Sequence, residues 1–173
     1  HCEAGTVAQH YNAKKGLQTA ERRASPIIHL REFNNWVKAV LLEKYWKGDG
    51  AVLDLCCGKG GDLGKFSRMG VRSVVGVDIA KMSLKEAEDR YNNFKRPNFQ
   101  CSFIHADAHV VDLSERLPPD ATFSLVSCQF ALHYSFESEA RARKFLQNVS
   151  CRLQSGGYFV GTTTNSYYIV KRL

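Results

Sequence analysis

Short apolar runs alternate with helical patterns from residue 51 onward, and this alternation restricts the fold more than any other feature. The runs predict five strands, at residues 51–55, 73–77, 100–104, 123–128 and 158–162. Helical patterns lie between them, near residues 62–69, 81–94 and 138–153. Strands that alternate with helices in this way pair in parallel, and each helix forms a right-handed crossover between two strands. The predicted fold class is α/β, with a doubly wound, mainly parallel sheet covered by helices on both faces.

The chain before the first strand divides into two parts. Residues 1–24 are polar and show no apolar periodicity, which predicts a flexible basic arm. Ser25 and Pro26 form a helix start signal, and helically spaced apolar residues follow it. We therefore expect one domain at 25–173. Because Leu173 comes soon after the fifth strand, we also expect this domain to lack C-terminal strands.

Composition excludes some classes of protein and leaves others open. The hydrophobic content of 44% is ordinary for a folded domain, and no apolar run approaches the roughly 18 residues of a membrane span. Residues 1–25 lack the apolar core of a signal peptide. Of the net charge of +7, residues 1–47 hold eight Lys and Arg against four Asp and Glu. This basic flank suits a polyanion such as nucleic acid, although a merely solvated basic surface fits it as well.

The six cysteines do not predict a metal site or a disulfide framework. They form no C-x-x-C pair and have no histidine at zinc-finger spacing. Cys56 and Cys57 are adjacent, and a bridge between them would require a strained ring. We expect reduced thiols in a reducing compartment.

The stretch VLDLCCGKGGDL, residues 52–63, carries the strongest functional signal. Its glycines follow the first strand at the position where open α/β sheets bind ligands. Asp78 ends the second strand, 18 residues after Gly60, which suits an acid that accepts from both ribose hydroxyls of an adenosine cofactor. Asp107 ends the third strand, where it could accept a hydrogen bond from the adenine amino group. Each acid taken alone also fits a helix N-cap.

The acids around this loop favour a cationic cofactor. A dinucleotide fold places pyrophosphate at the helix N-terminus, but Asp54 and Asp62 flank the loop and would repel phosphates. No P-loop pattern occurs. S-adenosylmethionine, with its sulfonium and ammonium groups, fits the acids better.

Five stretches in order give the sequence a specific resemblance to a known family. They are REFNNWVKAVLLEKY, VLDLCCGKGGDLGKF, VDIAKMSLKEAEDRY, SCQFALHYSFES and GGYFVGTTTNS, within residues 29–167. The chain resembles the eukaryotic messenger-RNA cap guanine-N7 methyltransferases. This implies the class I S-adenosylmethionine-dependent methyltransferase fold and methyl transfer to N7 of the guanine in GpppN-capped mRNA. It also implies a nuclear location, with a cytoplasmic one left open, and no membrane partner.

The resemblance also implies roles for matching positions. Those expected at S-adenosylmethionine are Lys38, Asp54, Cys56, Gly58, Asp78, Asp107, Gln129 and Tyr134. Those expected on the cap side are Asn34, Asn35, Lys59, Lys65, Arg90 and His133. No general base and no metal are expected, because guanine N7 carries a lone pair and no proton.

Two positions depart from the family pattern, and other functions stay open. Cys56 stands where the first glycine of the loop is usual, and Thr164 stands where a proline is usual. The alternatives are a non-catalytic module that binds cap or cofactor, and a methyltransferase for another substrate. An activator subunit or other capping enzymes are further expected partners.

Overall fold

The computed structural model describes residues 4–13, 25–95 and 97–173, and they form one parallel sheet with helices around it. The strands are β1 (Ala51–Leu55), β2 (Ser73–Asp78), β3 (Gln100–His105), β4 (Phe123–Gln129) and β5 (Leu153–Thr162). The helices are α1 (Ala4–Ala13), α2 (Ile28–Tyr45), α3 (Leu63–Met69), α4 (Lys81–Asn92), α5 (Glu139–Ser150) and α6 (Ser166–Arg172). Short 3₁₀ segments lie at Leu113–Glu115 and Leu132–Glu137.

The strand order places the first strand at the centre of the sheet. The order is β3-β2-β1-β4-β5, and every pairing is parallel. Leu53 lies beside Val75 of β2 on one side and beside Val126 of β4 on the other. The chain thus adds β2 and β3 on one side of β1, and then adds β4 and β5 on the other side. This change of side opens a crevice at the carboxyl ends of β1 and β4. The α/β, parallel fold class predicted from the sequence is confirmed.

Two hydrophobic cores occupy the two faces of the sheet. On one face Leu53 and Leu55 pack with Phe145 and Val149 of α5. On the other face Val52 packs with Leu42 of α2 and with α3. Because successive side chains of a strand point to opposite faces, a strand buried on both sides is apolar almost throughout. Asp54 is the exception in β1, since it is a carboxylate that is only 4% exposed.

The structure differs from the sequence prediction at both ends of the chain. Residues 4–13 form a helix where the sequence predicted an arm without regular structure; residues 1–3 and 14–24 of that arm lie outside the described residues. The helix predicted to extend to residue 153 ends at Ser150, and β5 has already begun at Leu153. Gly157 belongs to β5, where a Cβ atom would lie 2.9 Å from the Ser124 carbonyl oxygen. This glycine therefore permits close packing between β5 and β4.

Candidate functional site

A cavity of about 510 Å³ lies at the carboxyl edge of the sheet. The ends of β1, β2 and β4 form its floor, together with the loops that follow β1, β3 and β4. All eight residues that the resemblance assigned to the cofactor line this cavity: Lys38, Asp54, Cys56, Gly58, Asp78, Asp107, Gln129 and Tyr134. The structure therefore brings together side chains and backbone from positions almost a hundred residues apart.

The glycine loop between β1 and α3 is fixed by close packing. The Cys57 amide donates to the Val77 carbonyl oxygen at 3.0 Å, which ties the loop to β2. Gly60 has a φ of 66°, and a Cβ there would lie 2.7 Å from Leu63 Cδ1. Cys56 has a φ of 58°, in the left-handed region that favours glycine. Cys56 therefore has a backbone conformation that glycine adopts readily, but it carries a side chain.

Asp78 joins the loop to the start of α4. Its Oδ2 accepts the Gly58 amide proton and its Oδ1 accepts the Ala80 amide proton, each at 2.8 Å. Burial raises the pKa of this carboxyl, and the two amides oppose that effect. The sequence left open whether Asp78 binds ligand or caps a helix. In the structure it hydrogen-bonds the backbone before α4 and also faces the cavity.

Asp54 is the most deeply buried acid of the site. Burial raises its pKa to about 8, and the nearby negative charge of Asp62 adds to this effect. Asp62, in contrast, accepts from two ammonium groups, with Lys38 Nζ at 2.8 Å and Lys65 Nζ at 2.7 Å. In the part of the chain that the structure describes, two lysines thus pair with Asp62 and no cation forms a salt bridge with Asp54.

Asp107 is held as an ionised acceptor. Its Oδ1 accepts from the backbone amide and from Nδ1 of His109, each at 2.9 Å, and its Oδ2 accepts from Arg141 Nη2 at 3.1 Å. Burial opposes ionisation, but these hydrogen bonds and the Arg141 charge outweigh it and lower the pKa to about 2. The wall of the cavity at β3 therefore carries an ionised carboxylate that is paired with Arg141.

A polar chain orients the residue that ends β4. Gln129 Nε2 donates to the Ser127 hydroxyl at 3.2 Å, and the Thr162 hydroxyl donates to Gln129 Oε1 at 3.0 Å. Ser127 in turn hydrogen-bonds Asp54. The side-chain amide of Gln129 is thus held at the cavity by β5 and linked to β1.

Several lining residues were missed from the sequence. Val7 and Tyr11 of α1 face the cavity, and so do Asp62, His109 and Arg141. Tyr11 falls in the stretch that the sequence predicted to be an unstructured arm, and no local pattern connects it with the sheet edge. Asp62 was noted as an acid beside the loop, and its two lysine partners become apparent only from the folded structure.

The residues expected on the cap side are not brought together in this cavity. Of the six, His133 lines it; Asn34, Asn35, Lys59, Lys65 and Arg90 do not. Lys59 pairs with Glu86 at 2.6 Å. The Lys65 side chain is only 8% exposed and also donates to Asn35 Oδ1 at 3.2 Å. The fold thus buries the ammonium of Lys65 against Asp62, three residues before it.

The cysteines and acids of the described residues do not group as metal ligands. Within 4–13, 25–95 and 97–173, no three His, Cys, Asp or Glu side chains could hold one ion. Five cysteines in these ranges are free thiols, and burial raises the pKa of the Cys101 thiol to about 12. None of the helices in the described part of the chain combines the length and the apolar character that crossing a membrane requires.

Comparison with known proteins identifies the family. The model of the mRNA (guanine-N(7))-methyltransferase domain matches residues 2–173. The chain belongs to the mRNA cap guanine-N7 methyltransferase family. It is 48% identical to mRNA cap guanine-N(7) methyltransferase 1 of Oryza sativa and 45% identical to that of Arabidopsis thaliana, over 98% of this chain in each case. It covers 48% of each relative, and therefore spans about half of their length.

Solved structures of lower sequence identity share the fold. An S-adenosylmethionine-dependent methyltransferase from Clostridium acetobutylicum superposes with a TM-score of 0.63 at 21% identity, over 83% of this chain and 54% of that one. The DhpI–SAH complex superposes with a TM-score of 0.61 at 16% identity, over 96% and 71% of the two chains. At these identities the likeness establishes the class I methyltransferase fold.

Proposed function

We propose that this chain transfers a methyl group from S-adenosylmethionine to N7 of the guanine cap of mRNA. One observation carries the proposal: Asp54, Asp78 and Asp107, from three neighbouring strands, all border one cavity beside a glycine loop. Membership of the cap methyltransferase family supports the choice of acceptor.

The residues of the cavity fit an adenosyl ligand that carries positive charge. Both Asp78 and the ionised Asp107 line the cavity, and we assign Asp78 to the ribose hydroxyls and Asp107 to the adenine amino group. Asp54 is a buried acid that forms no salt bridge within the described residues, and it suits the ammonium of the methionine portion. Lys38 and Lys65 hold Asp62 beside it, and the Gly58 amide is bound by Asp78.

Methyl transfer to guanine N7 requires the protein mainly to position the two reactants. S-adenosylmethionine supplies, when bound, a methyl group on a cationic sulfur, and guanine N7 offers a lone pair without a proton to remove. The residues of the chain therefore bind and orient the two reactants and exclude water from them. We assign no general base. Holding two reactants in line is worth on the order of 7–11 kcal/mol.

The cap side is proposed from position and charge. His133 borders the cavity beside Tyr134, with their ring centroids 4.3 Å apart, and we assign it to contact with the guanine. Lys59 and Arg90 are assigned to the triphosphate, and Asn34 and Asn35 to the cap side of α2. Lys65 is instead assigned to positioning Asp62 and Asn35, since its ammonium is bound by both. We further propose that the substrate is capped mRNA in the nucleus, and that an activator subunit or other capping enzymes are partners of this chain.

Methyl transfer from labelled S-adenosylmethionine to GpppG- and GpppA-capped RNA tests this function. We expect N7-methylguanine in the product with both caps and no transfer to uncapped RNA. Asp54→Asn should abolish transfer, whereas Asp49→Asn, at an exposed acid, should not. Cofactor binding without any product would favour a non-catalytic module. Transfer that ignores the guanine cap would favour another substrate.

A further inference from the structure

Arg141 of α5 contacts an acid from each of two loops that border the cavity. Its Nη2 donates to Asp107 Oδ2 at 3.1 Å, in the loop that follows β3. Its Nε lies 3.3 Å from Glu137 Oε2, at the end of the 3₁₀ segment that follows β4. All three residues line the cavity, and the arginine side chain is only 18% exposed. One guanidinium therefore bridges two loops whose strands are separated in the sheet by β2 and β1.

The helix that carries Arg141 is fixed in the core. Phe145, one turn further along α5, is fully buried and stacks on His109, with ring centroids 5.0 Å apart. Asn148 is also fully buried, and it hydrogen-bonds backbone groups within residues 108–113. Positions 141, 145 and 148 lie on one face of a helix. This face of α5 therefore holds the loop after β3 at three points, of which Arg141 is the one that lines the cavity.

The local helix does not favour an arginine at position 141. Arg141 lies in the first turn of α5, where the helix dipole stabilises acids and disfavours cations. Asp107 and Glu137 supply the negative charge that offsets this effect. The contact with Glu137 is an ion pair only, since Nε has no hydrogen-bond partner among the described residues. Asp107 is therefore the partner that the guanidinium orients by a hydrogen bond.

The orientation of Asp107 decides what the adenine end of the cavity can recognise. Its Oδ1 accepts from the backbone amide and the ring of His109, whereas its Oδ2 accepts from Arg141. An ionised carboxylate only accepts hydrogen bonds. It therefore suits the 6-amino group of adenine and opposes the 6-oxo group of hypoxanthine. Without Arg141, Oδ2 loses the contact that fixes its direction, and a half-buried carboxylate loses its paired cation.

We propose that Arg141 is a positioning residue for cofactor recognition. By holding the Asp107 carboxylate against α5, it sets the preference of the cavity for a 6-aminopurine over a 6-oxopurine. This inference rests on the proposed function, because it assumes an adenosyl ligand whose adenine lies at Asp107. Arg141 acts through Asp107 and is assigned no contact with the ligand.

Calorimetry with S-adenosylhomocysteine and S-inosylhomocysteine tests the inference. Arg141→Met removes the charge and the donors and keeps an unbranched side chain. We expect it to bind S-adenosylhomocysteine about tenfold more weakly and S-inosylhomocysteine at most about twofold more weakly, so that the ratio of the two affinities falls. Arg141→Lys keeps the charge without the planar fork, and its ratio should lie between those of Arg141→Met and the unsubstituted protein. Arg143→Met is the matched control, because Arg143 forms an exposed pair with Glu139 on the same helix.

Glu137→Gln separates the two contacts of the guanidinium. It removes the ion pair with the segment after β4 and leaves the hydrogen bond from Arg141 to Asp107. The ratio should therefore stay at the value of the unsubstituted protein or rise above it. A fall as large as in Arg141→Met would overturn the inference, since the effect would then come from the segment after β4. Circular dichroism and thermal unfolding check that each variant folds, and Arg141→Lys serves as the test if Arg141→Met does not.

The outcomes separate this inference from the proposed function. An equal loss of affinity for both ligands, or an unchanged ratio in both Arg141 variants, would overturn the role of Arg141 while leaving the adenosyl site in place. Failure of the unsubstituted protein to bind S-adenosylhomocysteine would overturn both. A lowered ratio in a protein that binds but transfers no methyl would support the inference against the proposed activity.

Discussion

The Tyr11 hydroxyl of α1 lies 3.2 Å from the Tyr134 hydroxyl, and both side chains line the cavity. The amino-terminal helix is thus joined to the 3₁₀ segment that follows β4. It is also attached to α4, because the Met82 amide donates to Asn12 Oδ1 at 3.0 Å. Helix α1 therefore forms part of the wall around any ligand in the cavity.

Tyr11→Phe should speed the release of S-adenosylhomocysteine. The change removes the hydrogen bond between Tyr11 and Tyr134, and a hydrogen bond contributes about 0.5–1.5 kcal/mol net, so we expect dissociation to be about two- to tenfold faster. Stopped-flow displacement would measure this rate. Tyr167→Phe, at an exposed tyrosine of α6, is the control and should have no effect. An unchanged rate in Tyr11→Phe would show that the link between α1 and Tyr134 does not retain the ligand.

Asp54 should make the stability of the ligand-free protein fall as pH rises. Its pKa is raised from an ordinary value near 4 to about 8, so the folded protein holds a proton that the unfolded chain releases. The stabilisation is present below pH 4 and is lost between pH 4 and 8, by up to about 1.4 kcal/mol per pH unit. Asp54→Asn should remove this dependence, as urea unfolding at several pH values would show.

Binding of a cationic ligand beside Asp54 should in turn release a proton near pH 7. Calorimetry of S-adenosylmethionine binding in buffers of different ionisation enthalpy measures that release directly. The unsubstituted protein should show it and Asp54→Asn should not. Equal proton release in both proteins would assign it to another group.

Lys59 offers a test of the cap side through its pairing with Glu86. If Lys59 meets the triphosphate, Lys59→Ala should make capped-RNA binding less steeply dependent on salt, by about one unit in the log–log slope. Glu86→Gln, which removes the competing carboxylate, should strengthen binding at low salt. Fluorescence anisotropy from about 50 to 200 mM salt would measure both. Parallel salt dependence in the three proteins would exclude a phosphate contact by Lys59.

The strands and the acids at their ends could be predicted because their signals are local. An apolar run that ends in Asp54 or Asp78 indicates both a buried strand and its polar end. The position of Tyr11 could not be predicted this way, because it depends on the packing of α1 against α4, across a stretch with no apolar pattern. Lys65 was predicted at the cap, but its burial follows from an ion pair with Asp62 one turn earlier. The positions of Tyr11 and Lys65 therefore depend on tertiary contacts, which a local sequence pattern does not show.

Cys56 should carry a measurable conformational cost. A side chain in the left-handed region costs about 1–2 kcal/mol relative to the right-handed one, and glycine avoids most of this cost. Both Cys56→Ala and Cys56→Gly remove the thiol, but only the second also removes Cβ. We therefore expect the glycine variant to be more stable than the alanine variant by about 1 kcal/mol in urea unfolding. Equal stability, or a more stable alanine variant, would mean that the loop relaxes to another conformation.

Asn148 of α5 should prove the strongest single support of the loop that follows β3. It is fully buried; its Nδ2 donates to the carbonyl oxygens of Ala108 and Val111 at 2.8 Å, and its Oδ1 accepts from the Leu113 amide at 2.9 Å. Asn148→Leu keeps a similar volume but leaves three backbone groups without partners. Since each costs about 1–3 kcal/mol, we expect a loss of at least about 3 kcal/mol in the free energy of unfolding.

The same substitution should also weaken ligand binding, because Ala108 lies beside Asp107 in the cavity wall. The exposed neighbour Gln147→Leu is the control and should change stability by no more than about 0.5 kcal/mol. A loss in Asn148→Leu no larger than in this control would mean that the loop holds its shape without the three hydrogen bonds. Asp107 would then be positioned by His109 and Arg141, and α5 would support this end of the cavity through Arg141 and through Phe145, on which His109 stacks.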